Sequence, residues 1–62
     1  MTINIYRVEC NNGSKYFETG TEAFFYFEQM RKRPLKVELW LLTYQRNKEM
    51  FVSQELIAYS HR

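Results

Sequence analysis

Leu35-Lys36-Val37-Glu38-Leu39-Trp40-Leu41-Leu42 is the stretch that decides the fold. Leu35, Val37, Leu39 and Leu41 fall on one side of a period-two alternation. Lys36, Glu38, Trp40 and Leu42 fall on the other, so the segment reads as a strand whose first set is a natural inward face. Arg46-Asn47-Lys48-Glu49 supplies an even-length turn, which opposes Gln45 to Met50. That register sets Leu39 against Leu56, Val37 against Ala58 and Thr43 against Val52, keeping the inward side largely apolar. A shift of one residue would set Leu39 against Glu55. The outward side then carries Trp40, Leu42, Tyr44, Phe51, Ile57 and Tyr59, edged by Lys36, Glu38 and Glu55.

A second hairpin precedes this one. Asn11-Asn12-Gly13-Ser14 contains Asn-Gly, whose tolerance of positive φ suits a two-residue turn. With Asn12 and Gly13 at its centre, Cys10 opposes Lys15, Glu9 opposes Tyr16, Val8 opposes Phe17 and Arg7 opposes Glu18. Directly opposed residues share a face, so Tyr6, Val8, Cys10 and Phe17 form an inward set and Arg7, Glu9, Tyr16 and Glu18 an outward one. The same counting places Ile3 and Ile5 outside, an odd position for two β-branched residues unless something covers them or a bulge turns them in.

Between the hairpins the period changes from two to 3.6. Thr19 is positioned as an N-cap, Glu22 completes a capping box, and Pro34 closes the segment after Arg31, Lys32 and Arg33 have placed positive charge at the negative end of the helix dipole. Ala23, Phe24, Phe27 and Met30 cluster on one face with Tyr26 at its margin. Phe25 lands on the opposite side with Thr21, Glu28 and Lys32.

The order strand, strand, helix, strand, strand with one amphipathic helix predicts an α+β fold: a two-layer ββαββ domain over residues 1–62, one helix on a four-stranded, mainly antiparallel sheet. This layout is similar to the β-grasp, in which the first and last strands are parallel neighbours at the centre. A fully antiparallel sheet of another strand order is the alternative. No residue motif of a β-grasp family is present, so the likeness concerns layout alone.

Composition agrees with one small core. The chain has 62 residues, 45% of them hydrophobic, with two Gly and one Pro. Nine Lys and Arg against seven Glu leave a net charge of +2, well short of the excess that announces nucleic-acid binding. The N-terminal segment lacks the basic and apolar pattern of a signal peptide, and the longest apolar runs, 24–27 and 39–42, are too short to cross a bilayer. A cytoplasmic protein is expected, with no membrane partner.

The chemistry expected of these residues is modest. Cys10 is the lone cysteine and reads as a small buried hydrophobe, with no histidine near it in sequence. His61 is the lone histidine and the penultimate residue. The glutamates are scattered on outward positions and turns. No catalytic constellation, metal-ligand spacing or phosphate loop is present, so no enzyme activity, cofactor, metal or small-molecule substrate is expected. The second apolar sheet face points instead to a protein partner, in the form of a homodimer or of an inhibitor or adaptor such as phages and mobile elements carry. The competing expectation is single-stranded nucleic acid, stacked on the sheet aromatics and held by Arg31, Lys32, Arg33 and Lys36.

Overall fold

The computed structural model describes residues 1–11 and 13–60. Strands β1 (Thr2–Cys10) and β2 (Gly13–Phe17) form the first hairpin, helix α1 (Gly20–Met30) follows, and β3 (Val37–Gln45) and β4 (Met50–Ser60) form the second. The sheet order is β2-β1-β3-β4, with every neighbouring pair antiparallel. The α+β two-layer fold is therefore as expected, and the β-grasp strand order is set aside. The central pair is β1 with β3, and β4 lies at an edge.

This order dictates where the helix goes. β2 and β3 flank β1 and run in the same direction, so the chain leaving β2 must cross over β1 before it can enter β3. The helix makes that crossing and packs over β1, β2 and β3. β4 is added afterwards by a tight hairpin and stays outside the roof.

The helix ends follow local chemistry. The Thr19 hydroxyl accepts a hydrogen bond from the Glu22 N–H at 3.4 Å and stands 3.0 Å from the Glu22 carboxylate, to which it donates. One side chain thus satisfies an orphan amide and anchors the acidic residue of the first turn. Gly20 sits at the first helical position because the Tyr6 ring lies against it, and a Cβ there would stand 3.2 Å from Tyr6 Oη. At the other end the Arg31 N–H caps the Phe27 carbonyl at 2.9 Å. The helix stops at Met30, four residues before Pro34.

Val8, Ala23, Phe27, Val37 and Leu39 form the buried core between helix and sheet, with Tyr6, Cys10, Phe17, Tyr26, Met30 and Leu35 packed around it. Tyr26 leans over β2, its ring 5.4 Å from that of Phe17, with Lys15 Nζ 5.1 Å from its centroid. That lean fixes the rotation of the helix. Its buried face is Ala23, Tyr26, Phe27 and Met30, and Phe24, expected inside, is 46% exposed beside Phe25 at 68%.

Both hairpins differ from expectation in register. In the first, Cys10 opposes Gly13, Val8 opposes Lys15 and Tyr6 opposes Phe17, a shift of two residues that preserves which side each residue faces. Gly13 begins the strand, at φ 144°, instead of centring the turn, and Asn12 lies outside the described residues. In the second hairpin the turn is as expected. Gln45 opposes Met50, the Lys48 and Glu49 amides donate to the Gln45 and Arg46 carbonyls at 3.2 Å, and Glu49 closes the loop at φ 52°. Beyond the turn, β4 bulges twice. Thr43 opposes Ser53 and Leu39 opposes Ala58, leaving Val52 and Ile57 without counterparts on β3.

The helix face can be checked by urea titration. Phe27→Ala should cost about 3–5 kcal/mol, enough to leave a domain of this size largely unfolded. Phe24→Ala should change stability by no more than about 0.5 kcal/mol.

Candidate functional site: the outer sheet face

On the side away from the helix, the cross-strand pairs Ile3 with Tyr44, Ile5 with Leu42, Arg7 with Trp40, and Glu9 with Glu38 line up along β1 and β3. β4 adds Phe51 opposite Tyr44, Gln54 opposite Leu42, Leu56 opposite Trp40 and Tyr59 opposite Glu38. Ile3 and Ile5 do lie outside, and their neighbours are apolar. Leu42 is only 4% exposed although no helix covers it. Its own neighbours on the sheet bury it, and half of Phe51 remains in solvent.

Five of the six expected surface residues, Trp40, Leu42, Tyr44, Phe51 and Tyr59, share this face. Ile57 does not. It is the unpaired residue of the second bulge and packs against the helix-side core beside Ala58, while Leu56 takes the outward position. A bulge places two residues where the alternation allows one, and every side chain beyond it changes sides relative to simple counting. The signal was present in Leu56-Ile57-Ala58, three consecutive apolar residues that no strict alternation can place. Met50-Phe51-Val52 marks the other bulge in the same way.

The face is concave. A depression of about 410 Å3 crosses all four strands, lined by Tyr16 of β2, Arg7 of β1, Leu42 of β3, and Phe51 with residues 52–54 of β4. Bulges sharpen the twist of the strand that carries them, and two on one edge are consistent with that edge curling toward Tyr16. Tyr44 and Phe51 meet edge to face, with centroids 5.2 Å apart.

Charge is distributed along the same axis. The Arg7 guanidinium lies 5.5 Å from the Trp40 ring centroid, a cation over an aromatic face. Its buried Nε has no aligned hydrogen-bond acceptor among the described residues, and Glu9 Oε1 at 3.3 Å supplies charge without hydrogen-bond geometry. Glu9 and Glu38 stand directly opposed, a like-charge pairing that costs stability unless cations offset it. Arg7 does so on one side. Lys36 Nζ, 3.9 Å from Glu38 Oε2, does so on the other, and Trp40 Nε1 donates to Glu38 Oε1 at 3.2 Å.

The basic cluster is placed elsewhere. Arg31, Lys32 and Arg33 sit in the turn after the helix, where Arg31 pairs with Glu28 at 3.0 Å. Lys36 is held by Glu38. From Lys36 to Tyr44 is eight strand residues, about 26 Å, so the cations and the Tyr44–Phe51 aromatic pair occupy opposite ends of the sheet.

Among the described residues, no group of three His, Cys, Asp or Glu is placed to hold a metal ion, and no helix is long and apolar enough to cross a membrane. His61 lies outside the described residues. Burial pushes the Cys10 thiol above its ordinary value of 9.0, with Arg33 opposing the rise and Glu9 adding to it. A raised thiol pKa disfavours the thiolate that a nucleophile requires. No protein-family model, curated protein or solved structure matches this chain, so the site is read from its own geometry.

Two outcomes follow from these environments. Arg7→Met leaves Glu9 and Glu38 facing each other with one cation fewer, so it should lower stability by on the order of 1 kcal/mol, and adding Glu38→Gln should restore part of the loss in the same urea titration. The unfolded chain ionises Cys10 at lower pH than the folded chain does. The thiol's contribution is therefore complete below about pH 9 and fades as pH climbs through the raised folded value. The urea midpoint of the wild-type chain should fall more between pH 8 and pH 10 than that of Cys10→Ala.

Proposed function

We propose that this chain is a small non-catalytic protein-interaction module, of the inhibitor or adaptor kind, that docks through its outer sheet face and associates with copies of itself. The observation that carries the reading is a sheet apolar on both sides with a helix over only one. Trp40, Tyr44, Phe51, Leu56 and Tyr59 share this face around the buried Leu42, with Glu9, Glu38 and Lys36 at one end of it. Contiguous apolar surface with a polar rim is how an interface looks without its partner.

Size supports the same reading. The molecule measures 40 × 19 × 17 Å. A face of the first two dimensions is of the order of the ~800 Å2 that each partner contributes to a standard interface. Single-stranded nucleic acid fits less well, because the Tyr44–Phe51 pair lies far from Lys36, and Lys36 and Arg31 are already paired with Glu38 and Glu28.

Sedimentation velocity at micromolar concentration should show a species heavier than the 7.6 kDa chain, and Trp40→Ser should return it to monomer with unchanged far-ultraviolet circular dichroism. A wild-type monomer at 100-fold higher concentration overturns the self-association. Oligonucleotide binding that weakens steeply with salt and is lost with Arg31, Lys32 and Lys36 would replace it with the nucleic-acid reading.

A further inference from the structure

The depression on the outer face has one charge in its wall. Arg7 supplies it, opposite Tyr16 across the β1–β2 ladder, and no carboxylate lines the space of about 410 Å3. The acidic pair is kept apart, because Glu9 and Glu38 line a separate depression of about 250 Å3 together with Lys36. A cleft of the larger volume is in the range that holds inserted ligand groups. Its walls are apolar at Leu42, Phe51 and Val52. Its other outward polar groups, the Tyr16 hydroxyl and the Gln54 amide, can both donate, and neither has an intramolecular partner among the described residues.

The guanidinium is only partly engaged by its own chain. It lies against the Trp40 ring, its side chain is 21% exposed, and Glu9 meets it at Nε, 3.3 Å away. That Nε is buried without an aligned acceptor. An arginine carries five N–H donors in a flat fork, and no described residue accepts a hydrogen bond from the two terminal nitrogens. A cation held on an aromatic ring and largely out of water attracts an incoming anion more strongly than a freely hydrated one does. The fork fits a planar carboxylate by two parallel hydrogen bonds.

We infer that the depression takes an acidic side chain flanked by apolar residues, presented by a segment of a different protein. The inference rests on the outer face being a docking surface, as proposed above, and not on self-association through it. Charge complementarity selects the occupant. One guanidinium matches one carboxylate, held end-on by the terminal nitrogens, while Tyr16 and Gln54 offer donors for its remaining lone pairs. The apolar neighbours of that acid cover Leu42 and Phe51. A polyanion matches less well, because the next outward pair along β1 and β3 is Glu9 with Glu38, which repels a phosphate chain continuing past Arg7. Copies of this chain use the same face, so the bound segment displaces them.

Selection of displayed random peptides on the full chain tests this. Wild-type chain should enrich peptides that carry Glu or Asp beside an aromatic or aliphatic residue. An enriched peptide is then synthesised with blocked ends and a fluorescent label, and its binding followed by anisotropy. Changing its acid to the amide should weaken binding about tenfold or more, the worth of one charge-assisted pair. Arg7→Met should lose as much, and in that variant the acid-to-amide change should cost nothing further, because the two groups act as one pair. Arg7→Lys, which keeps the charge without the fork, should fall between, and circular dichroism checks that both variants are folded. No enrichment, enriched peptides without an acid, or an acid worth the same to wild type and Arg7→Met would overturn the inference. If such peptides are still lost with Phe51→Ser, at a half-exposed position, the docking face stands; if they ignore that change too, both readings fall. Single-stranded oligonucleotide binding that depends on Arg7, with no acidic peptide enriched, would assign the cation to phosphate instead.

Discussion

The reach of one short helix governs this structure. α1 has eleven residues and so is about 16 Å long, whereas β4 also has eleven and spans about 36 Å. A roof less than half the length of the sheet can dry only part of one side. The core lies where the helix lies, around Val8, Val37 and Leu39 against Ala23 and Phe27. Beyond it, the helix-side positions become polar. Thr2 opposes Gln45, Asn4 opposes Thr43, and the Thr43 hydroxyl reaches Asn4 Oδ1 at 3.4 Å. The apolar residues of that end, Ile3, Ile5, Leu42 and Tyr44, are on the other side. The strands keep a strict alternation throughout β1 and β3; what changes halfway along is which side of the alternation is greasy.

That change explains the position of Ile3 and Ile5, which period-two counting put outside the helix-facing core. No bulge rescues them. They join Leu42 and Tyr44 in a second, shallower cluster, in which Leu42 reaches core-like burial without a covering layer. A domain of this size has little surface to spare for one core, and dividing the apolar residues between two sides costs packing depth on each. The outer cluster remains half finished, with Phe51 half in water.

Much of this was legible in the residues, and the misreadings have specific physical causes. Element order, the Thr19 cap, the Gln45–Met50 turn and the inward set Tyr6, Val8, Cys10 and Phe17 all follow from pattern and turn chemistry. The first hairpin shifted by two, which parity conceals, because a displacement of two returns every side chain to its own side. The second hairpin could not be placed by an even register alone. β4 is two residues longer than β3, and each surplus residue had to leave the ladder, at Val52 and at Ile57. Those positions lie inside the two uninterrupted apolar runs of the strand, 50–52 and 56–59, and such runs are where alternation fails. Phe24 was misplaced for another reason. Helical periodicity alone allows a range of rotations about the axis, and the contact of Tyr26 with Phe17 and Lys15 chose one that turns Phe24 out.

The bulges also bear on how a partner would approach. An edge strand as long as β4 is ordinarily a template for another strand, since one side of its backbone has unused donors and acceptors. Two bulges interrupt that ladder and leave Ser53 to Leu56 as its longest regular stretch before the second irregularity. Glu55 sits within it, so an antiparallel copy paired about the middle of the strand would bring two carboxylates together. Both features work against edge-to-edge growth. The same bulges turn Phe51 and Leu56 onto the outer face and accompany the curl that brings residues 52–54 into one trough with Tyr16. The irregularity that works against strand addition at the edge thus also shapes the face.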